Sequence, residues 1–157
     1  MVVIVAPMPE DSAPFYADGL RFECTQCGNC CTGPPGYVWF AEREAAAMAA
    51  HLGVDVSRFR REHAHVAHGR WTLNERWNQD VEGYDCIFLR RDPDSGKALC
   101  GIYSVRPTQC RTWPFWPQNL RNTRAWQAAT QNCPGMNSGK LVPLEQIRIL
   151  RDRTPNA

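Results

Sequence analysis

The chain of 157 residues is 43% hydrophobic and 22% charged, enough for one domain with a real core. No stretch approaches the roughly 18 consecutive apolar residues of a membrane span. The net charge of +2 hides an asymmetry: residues 1–85 carry seven basic and twelve acidic side chains, residues 86–157 eleven and four. The basic residues of the second part are almost all arginines, able to neutralise thiolates or meet an anionic partner. A solvated surface is the simpler account, and with no nucleic-acid motif beside the charge no such partner is expected.

In chain order, the opening "MVVIVAPMPEDSAP" lacks a basic n-region, is interrupted at Pro7 and shows no clean cleavage site, unlike a signal peptide. The expected compartment is the cytoplasm, where thiols stay reduced and dense cysteines point to metal rather than disulfides. "FYADGLRFECTQCGNCC" reads as an extended entry into a cysteine-rich loop, and "TGPPGYVWF" as a Gly/Pro turn followed by a short strand. "AEREAAAMAAHLG" predicts a helix ended by Gly53. "DVSRFRREHAH" predicts a second helix capped by Asp55 or Ser57, and residues 66–85 are polar and ambiguous.

"CIFLRRDPDSGKALCGIY" reads as a β-hairpin around "DPDSG". Period-two alternation sets Cys86 with Phe88, and Cys100 with Ala98 and Ile102, so that the two sulfurs meet. "RPTQCRTWPFWP" predicts a helical turn begun near Pro107 and stopped by Pro114 and Pro117. "NTRAWQAATQ" and "PLEQIRILRDR" predict two more helices. The expected fold is a small single α+β domain, with short helices and a β-hairpin assembled around a cysteine metal centre. Its organisation is a lead-in over residues 1–20, the cysteine domain over 21–140, and a C-terminal helix and tail over 141–157.

Four of the eight cysteines crowd into "CTQCGNCC" at Cys24, Cys27, Cys30 and Cys31; Cys86, Cys100, Cys110 and Cys133 follow. A Cys-x-x-Cys turn lets two sulfurs face one centre while backbone N–H groups point at them, which suits zinc or an iron–sulfur cluster. Gly28 can take a positive φ at little cost. The spacing Cys24–Cys27–Cys30 matches the opening of a bacterial ferredoxin run, which draws its last ligand from a distant Cys-Pro, here Cys133–Pro134. One partition therefore sets Cys24, Cys27, Cys30 and Cys133 on one centre, leaving Cys31, Cys86, Cys100 and Cys110 for a second or a shared one.

Simple packing competes for Cys86 and Cys100 on apolar strands, whereas Cys110 and Cys133 in Pro/Gly contexts favour ligation. His63, His65 and His68 are able to ligate, but a solvated helix end explains them better. Trp113, Phe115 and Trp116 suit either a water shield over a centre or plain core. Arg106 and Arg111, flanking Cys110, suit charge compensation there or surface ion pairs. No cysteine stands in a triad context, and there is no P-loop, GxGxxG or Cys-x3-Cys-x2-Cys pattern.

The residues "CTQCGNCC", "CIFL", "CGIYSVRPTQCRTWPF" and "CPG" together resemble the CxxCxxCC, or YkgJ-type, cysteine-cluster family, from about Phe22 to about Gly139. That resemblance implies a zinc- or iron-chelating domain, mostly found in bacteria, with Cys24, Cys27, Cys30 and Cys31 as the named cluster and Cys86, Cys100, Cys110 and Cys133 as its downstream cysteines. One branch holds flagellin lysine N-methylases, but these are larger, and methyl transfer is not carried over to this chain. The expected function is metal binding through an iron–sulfur cluster, the preferred reading, or zinc. The rivals are an enzyme of the same family type, whether iron–sulfur oxidoreductase or lysine N-methylase-like, and a metal carrier.

Overall fold

The computed structural model describes residues 13–154. Most of the lead-in, with its opening that was weighed as a signal peptide, and the last three residues of the tail lie outside the described residues. Regular structure begins with a short strand, β1 (Leu20–Phe22). The cysteine signature then runs as an irregular loop into a 3-10 turn at Asn29–Cys31 and a two-residue strand, β2 (Thr32–Gly33). The short strand expected after the turn in "TGPPGYVWF" does not form; Val38 and Trp39 instead attach to Thr72, through a hydrogen bond to its hydroxyl and an isolated bridge.

Helix α1 (Glu42–Leu52) forms as expected: Glu44 accepts the Ala41 N–H at 2.8 Å, and Gly53 ends the helix at φ 69°. Its buried Ala45, Met48 and Ala49 lie one helical turn apart and face the core. Helix α2 (Val56–His63) is capped by Asp55, whose carboxylate accepts the Arg58 N–H at 2.9 Å. It ends two residues earlier than expected because Ala64 is extended and opens β3 (Ala64–Ala67). The ambiguous stretch holds two hairpins, β3 with β4 (Arg70–Leu73) and β5 (Glu75–Asn78) with β6 (Gly83–Cys86). His68 and Gly69 both take positive φ, the requirement of a tight hairpin turn. Strand β2 joins the second hairpin in the order β2-β6-β5.

The expected hairpin around "DPDSG" is present as β7 (Leu89–Arg91) and β8 (Ala98–Cys100), but Cys86 is not on it. Cys86 ends β6 opposite Glu75, and Leu89 is the residue facing Cys100. Ile87 and Phe88 both turn towards the same apolar core, which breaks strict alternation and moves the chain from one sheet to the next.

A 3-10 turn at Tyr103–Val105 leads into α3 (Thr108–Thr112). Pro117 then starts a further turn, α4 (Pro117–Leu120), rather than stopping one: at the first helical position its missing N–H costs nothing. Helix α5 (Thr123–Thr130) is capped by Asn122. Strand β9 (Met136–Val142), which the sequence reading left unassigned, pairs antiparallel with β1, and α6 (Leu144–Asp152) closes the described chain.

Two apolar cores result. One gathers Tyr16, Phe115, Leu120, Trp126, Cys133, Met136 and Ile147, from both ends of the sequence. The other gathers Ala45, Met48, Ala49, Phe59, Leu73, Phe88 and Ile102, with Cys86 and Cys100 packed on its flank. This is a small α+β domain of short helices and short antiparallel strands, and no helix among the described residues is long and apolar enough to cross a membrane.

Candidate metal centre

Three clamps hold the signature loop against elements far away in sequence. Before it, the Glu23 N–H donates to the Gly135 carbonyl at 3.0 Å. A Cβ on Gly135 would lie 2.1 Å from the Glu23 oxygen, so only glycine allows this approach. In its middle, the Gln26 carbonyl accepts from the Ala98 N–H at 2.7 Å, and Arg91 donates to the Cys27 carbonyl at 3.3 Å. Gly28 sits between them at φ 80°, where a Cβ would meet that of Ala98 at 2.7 Å. After it, the Thr32 hydroxyl donates to Asp85, the buried residue preceding Cys86, which also accepts from Asn78 at 2.8 Å. Burial pushes the Asp85 carboxyl up, but these two hydrogen bonds, with Arg91 and Arg76 nearby, outweigh it and hold it below its ordinary value.

The clamps bring five sulfurs together. Cys30 and Cys31 stand 3.7 Å apart, sulfur to sulfur. The Cys31 thiol feels the charges of Cys86 and Cys110, and Cys110 those of Cys86, Cys30 and Cys100. The hydrogen bond from Cys31 pulls the Cys30 thiol down to about 7, while the same contact and burial push Cys31 up. Burial raises Cys86 to about 11, and burial also raises Cys100 and Cys110. Arg106 is the nearby cation that favours the thiolates of Cys30, Cys100 and Cys110; Arg111 turns away to Glu44, 3.8 Å distant. So of the two arginines flanking Cys110, one faces the sulfurs.

The remaining cysteines stand apart from this group. Sulfur atoms of Cys24 and Cys27 accept N–H bonds from Gln26 and Asn29 at 3.4 and 3.5 Å, the local wrap of a Cys-x-x-Cys turn. Cys133 is buried in the first core, where the Trp113 indole N–H reaches its sulfur at 3.4 Å. The grouping therefore differs from the partition drawn from ferredoxin spacing: Cys30 joins Cys31, and Cys133 joins an apolar core. All eight cysteines are free thiols. Among the described residues no three His, Cys, Asp or Glu side chains are already set as ligands around one ion-sized point. The five sulfurs gather loosely.

Four of them, Cys30, Cys31, Cys86 and Cys110, line a cavity of about 350 Å³ together with Tyr37, Trp39, Trp113 and Trp116. Trp113 and Trp116 thus line the cavity, while Phe115 is core. The histidines are elsewhere: His65 bonds Asn74, His68 bonds Tyr37, and His63 packs against Phe59 and Phe88.

The sequence reading assigned no role to Thr108, Gln109 or Thr112, yet they lock the helix that carries Cys110 in place. Thr108 donates from both its N–H and its hydroxyl to Glu44, tying α3 to α1. The Gln109 side chain accepts the Trp39 N–H and donates to the Tyr37 carbonyl, each at 2.9 Å, and so fixes the far wall of the cavity. Thr112 bonds Thr154, and the Trp116 indole donates to the Gln109 carbonyl. A signal was available, since polar Thr and Gln beside a Pro-started helical turn need partners once buried.

Soft donors around a tryptophan-walled cavity define a thiol-rich chelating domain. The chain belongs to the CxxCxxCC family, whose model, described as "Putative zinc- or iron-chelating domain", matches residues 23–134. It is 30% identical over 107 residues to an uncharacterized protein of Methanocaldococcus jannaschii, a match covering 68% of this chain and 51% of that one. The chain thus spans about half the length of that relative. No solved structure matches it.

Proposed function

We propose that the domain binds iron, as an iron–sulfur cluster, through the thiols of Cys30, Cys31, Cys86, Cys100 and Cys110, with Cys24 and Cys27 carried beside them on the same loop. One observation supports this reading above the rest: four cysteines from three separate parts of the chain, Cys30 with Cys31, Cys86 and Cys110, line a single cavity, with Cys100 close to Cys110. The donor set fits the group, because thiolates select soft or borderline metals. A space of about 350 Å³ suits a polynuclear centre better than one zinc ion, which needs four close ligands and no cavity. When bound, such a centre supplies one-electron redox chemistry. The chain's own residues hold it, Arg106 offsets thiolate charge, and Trp113 and Trp116 keep water away. A reducing, cytoplasmic setting accords with eight free thiols.

The test is anaerobic purification of the full chain, followed by visible absorbance and elemental analysis. Brown protein with stoichiometric iron and sulfide is expected; colourless protein with stoichiometric zinc ends the iron–sulfur reading.

The cavity also favours a second reading, an enzyme. It continues past the sulfurs along Val38, Trp39 and Leu73, which offers the apolar space a substrate needs. A methyl-donor binding assay on metal-replete protein separates the methylase-like version from the oxidoreductase one.

A further inference from the structure

On the other side of the Trp39 and Gln109 wall lies a second hollow, of about 420 Å³, whose lining has a different chemistry. Arg43, Arg70 and Arg153 surround it, together with Thr108, Thr154 and the first turn of α1. Among the described residues, no carboxylate lies within ion-pair distance of any of these three arginines. Arg60, Arg58 and Arg151 instead find Glu42, Glu62 and Asp152. The one carboxylate in the lining, Glu44, is already engaged by Ala41 and by both donors of Thr108, and is faced by Arg111. Arg70 is oriented by stacking on Trp39, its guanidinium carbon 4.5 Å from the ring centre.

Three arginines lining one concave surface concentrate positive charge there, and a bound anion offsets it. Guanidinium forks match the oxygens of phosphate two at a time, and the positive end of α1 lies on the same side. We propose that this hollow binds the phosphate group of a small phosphorylated ligand, at a site separate from the thiol cavity and independent of which metal the thiols take.

The experiment titrates inorganic phosphate into the full chain at constant ionic strength, with chloride as the matched control, and follows the heat of binding. Saturable binding is expected for phosphate and not for chloride. R43Q and R153Q, both at exposed positions, should each weaken it by about tenfold or more, the scale of one charge-assisted hydrogen bond. R70K keeps the charge and loses the fork, and should weaken it too. R124Q removes an equal charge on α5, outside the hollow, and should leave binding unchanged. Absence of saturable binding, binding indifferent to R43Q and R153Q, or equal weakening by R124Q would each overturn the proposal.

Discussion

The eight cysteines fall into two sets that experience different physics. Cys30, Cys31, Cys86, Cys100 and Cys110 crowd together, where burial and their neighbours' charges resist ionisation of four of them. Cys24 and Cys27 accept only local N–H bonds, and Cys133 is packed among aromatic and aliphatic side chains. Crowded thiolates repel one another unless a cation lies between them, so ionising this group is easiest when a cation is bound. A cysteine in an apolar core needs no such partner.

Metal content after single substitutions is the sharpest way to break this contrast. Cys110→Ala and Cys86→Ala should each cut bound metal at least tenfold, while Cys133→Ala should keep most of it. If Cys133→Ala empties the protein and Cys86→Ala does not, the two sets have been assigned the wrong way round.

Next in size is Gly28→Ala, which combines a left-handed φ with a Cβ 2.7 Å from that of Ala98. Strain of this kind costs about 1–3 kcal/mol, readable in urea unfolding of the metal-free chain. Metal uptake should fall with it, because the signature loop loses its seat on β8.

Glu44→Ala should cost about 1–2 kcal/mol at pH 7, since it leaves Thr108 and Ala41 donors without their acceptor and loosens the helix that carries Cys110. Burial pushes the Glu44 carboxyl up, but the Thr108 hydroxyl, the Ala41 and Thr108 N–H groups and Arg111 hold it below its ordinary 4.5. A depressed carboxyl stabilises the fold above that ordinary value, and the contribution disappears as pH falls through the lower folded value. The gap between wild type and Glu44→Ala should therefore close below about pH 4.5. A gap that persists there would detach Glu44 from the site.

Smallest of all, Cys24→Ala should change unfolding by no more than about 0.5 kcal/mol, the usual scale for an exposed position. A severalfold loss of metal in this variant would show that the outlying pair ligates as strongly as the crowded five.

Much of the local structure was legible in the sequence, because its causes are local. Asp55 and Gly53 marked helix ends, and the turn in "DPDSG" was recognisable. The hairpins between Ala64 and Cys86 were not, since four-residue strands such as Ala64–Ala67 and Glu75–Asn78 are too short to show clean alternation. Strand β9 was hidden by Asn137, Ser138 and Gly139. The cysteines were singled out correctly as the unusual feature, but their grouping was not readable from spacing. It depends on contacts such as Gln26 with Ala98 and Thr32 with Asp85, which join residues tens of positions apart.

The pairing of β1 with β9, and of Glu23 with Gly135, joins residues more than a hundred positions apart. During synthesis the partner that fixes the leading end of the cysteine signature emerges more than a hundred residues after it. A truncated product ending before Gly135 would lack this clamp on the signature loop.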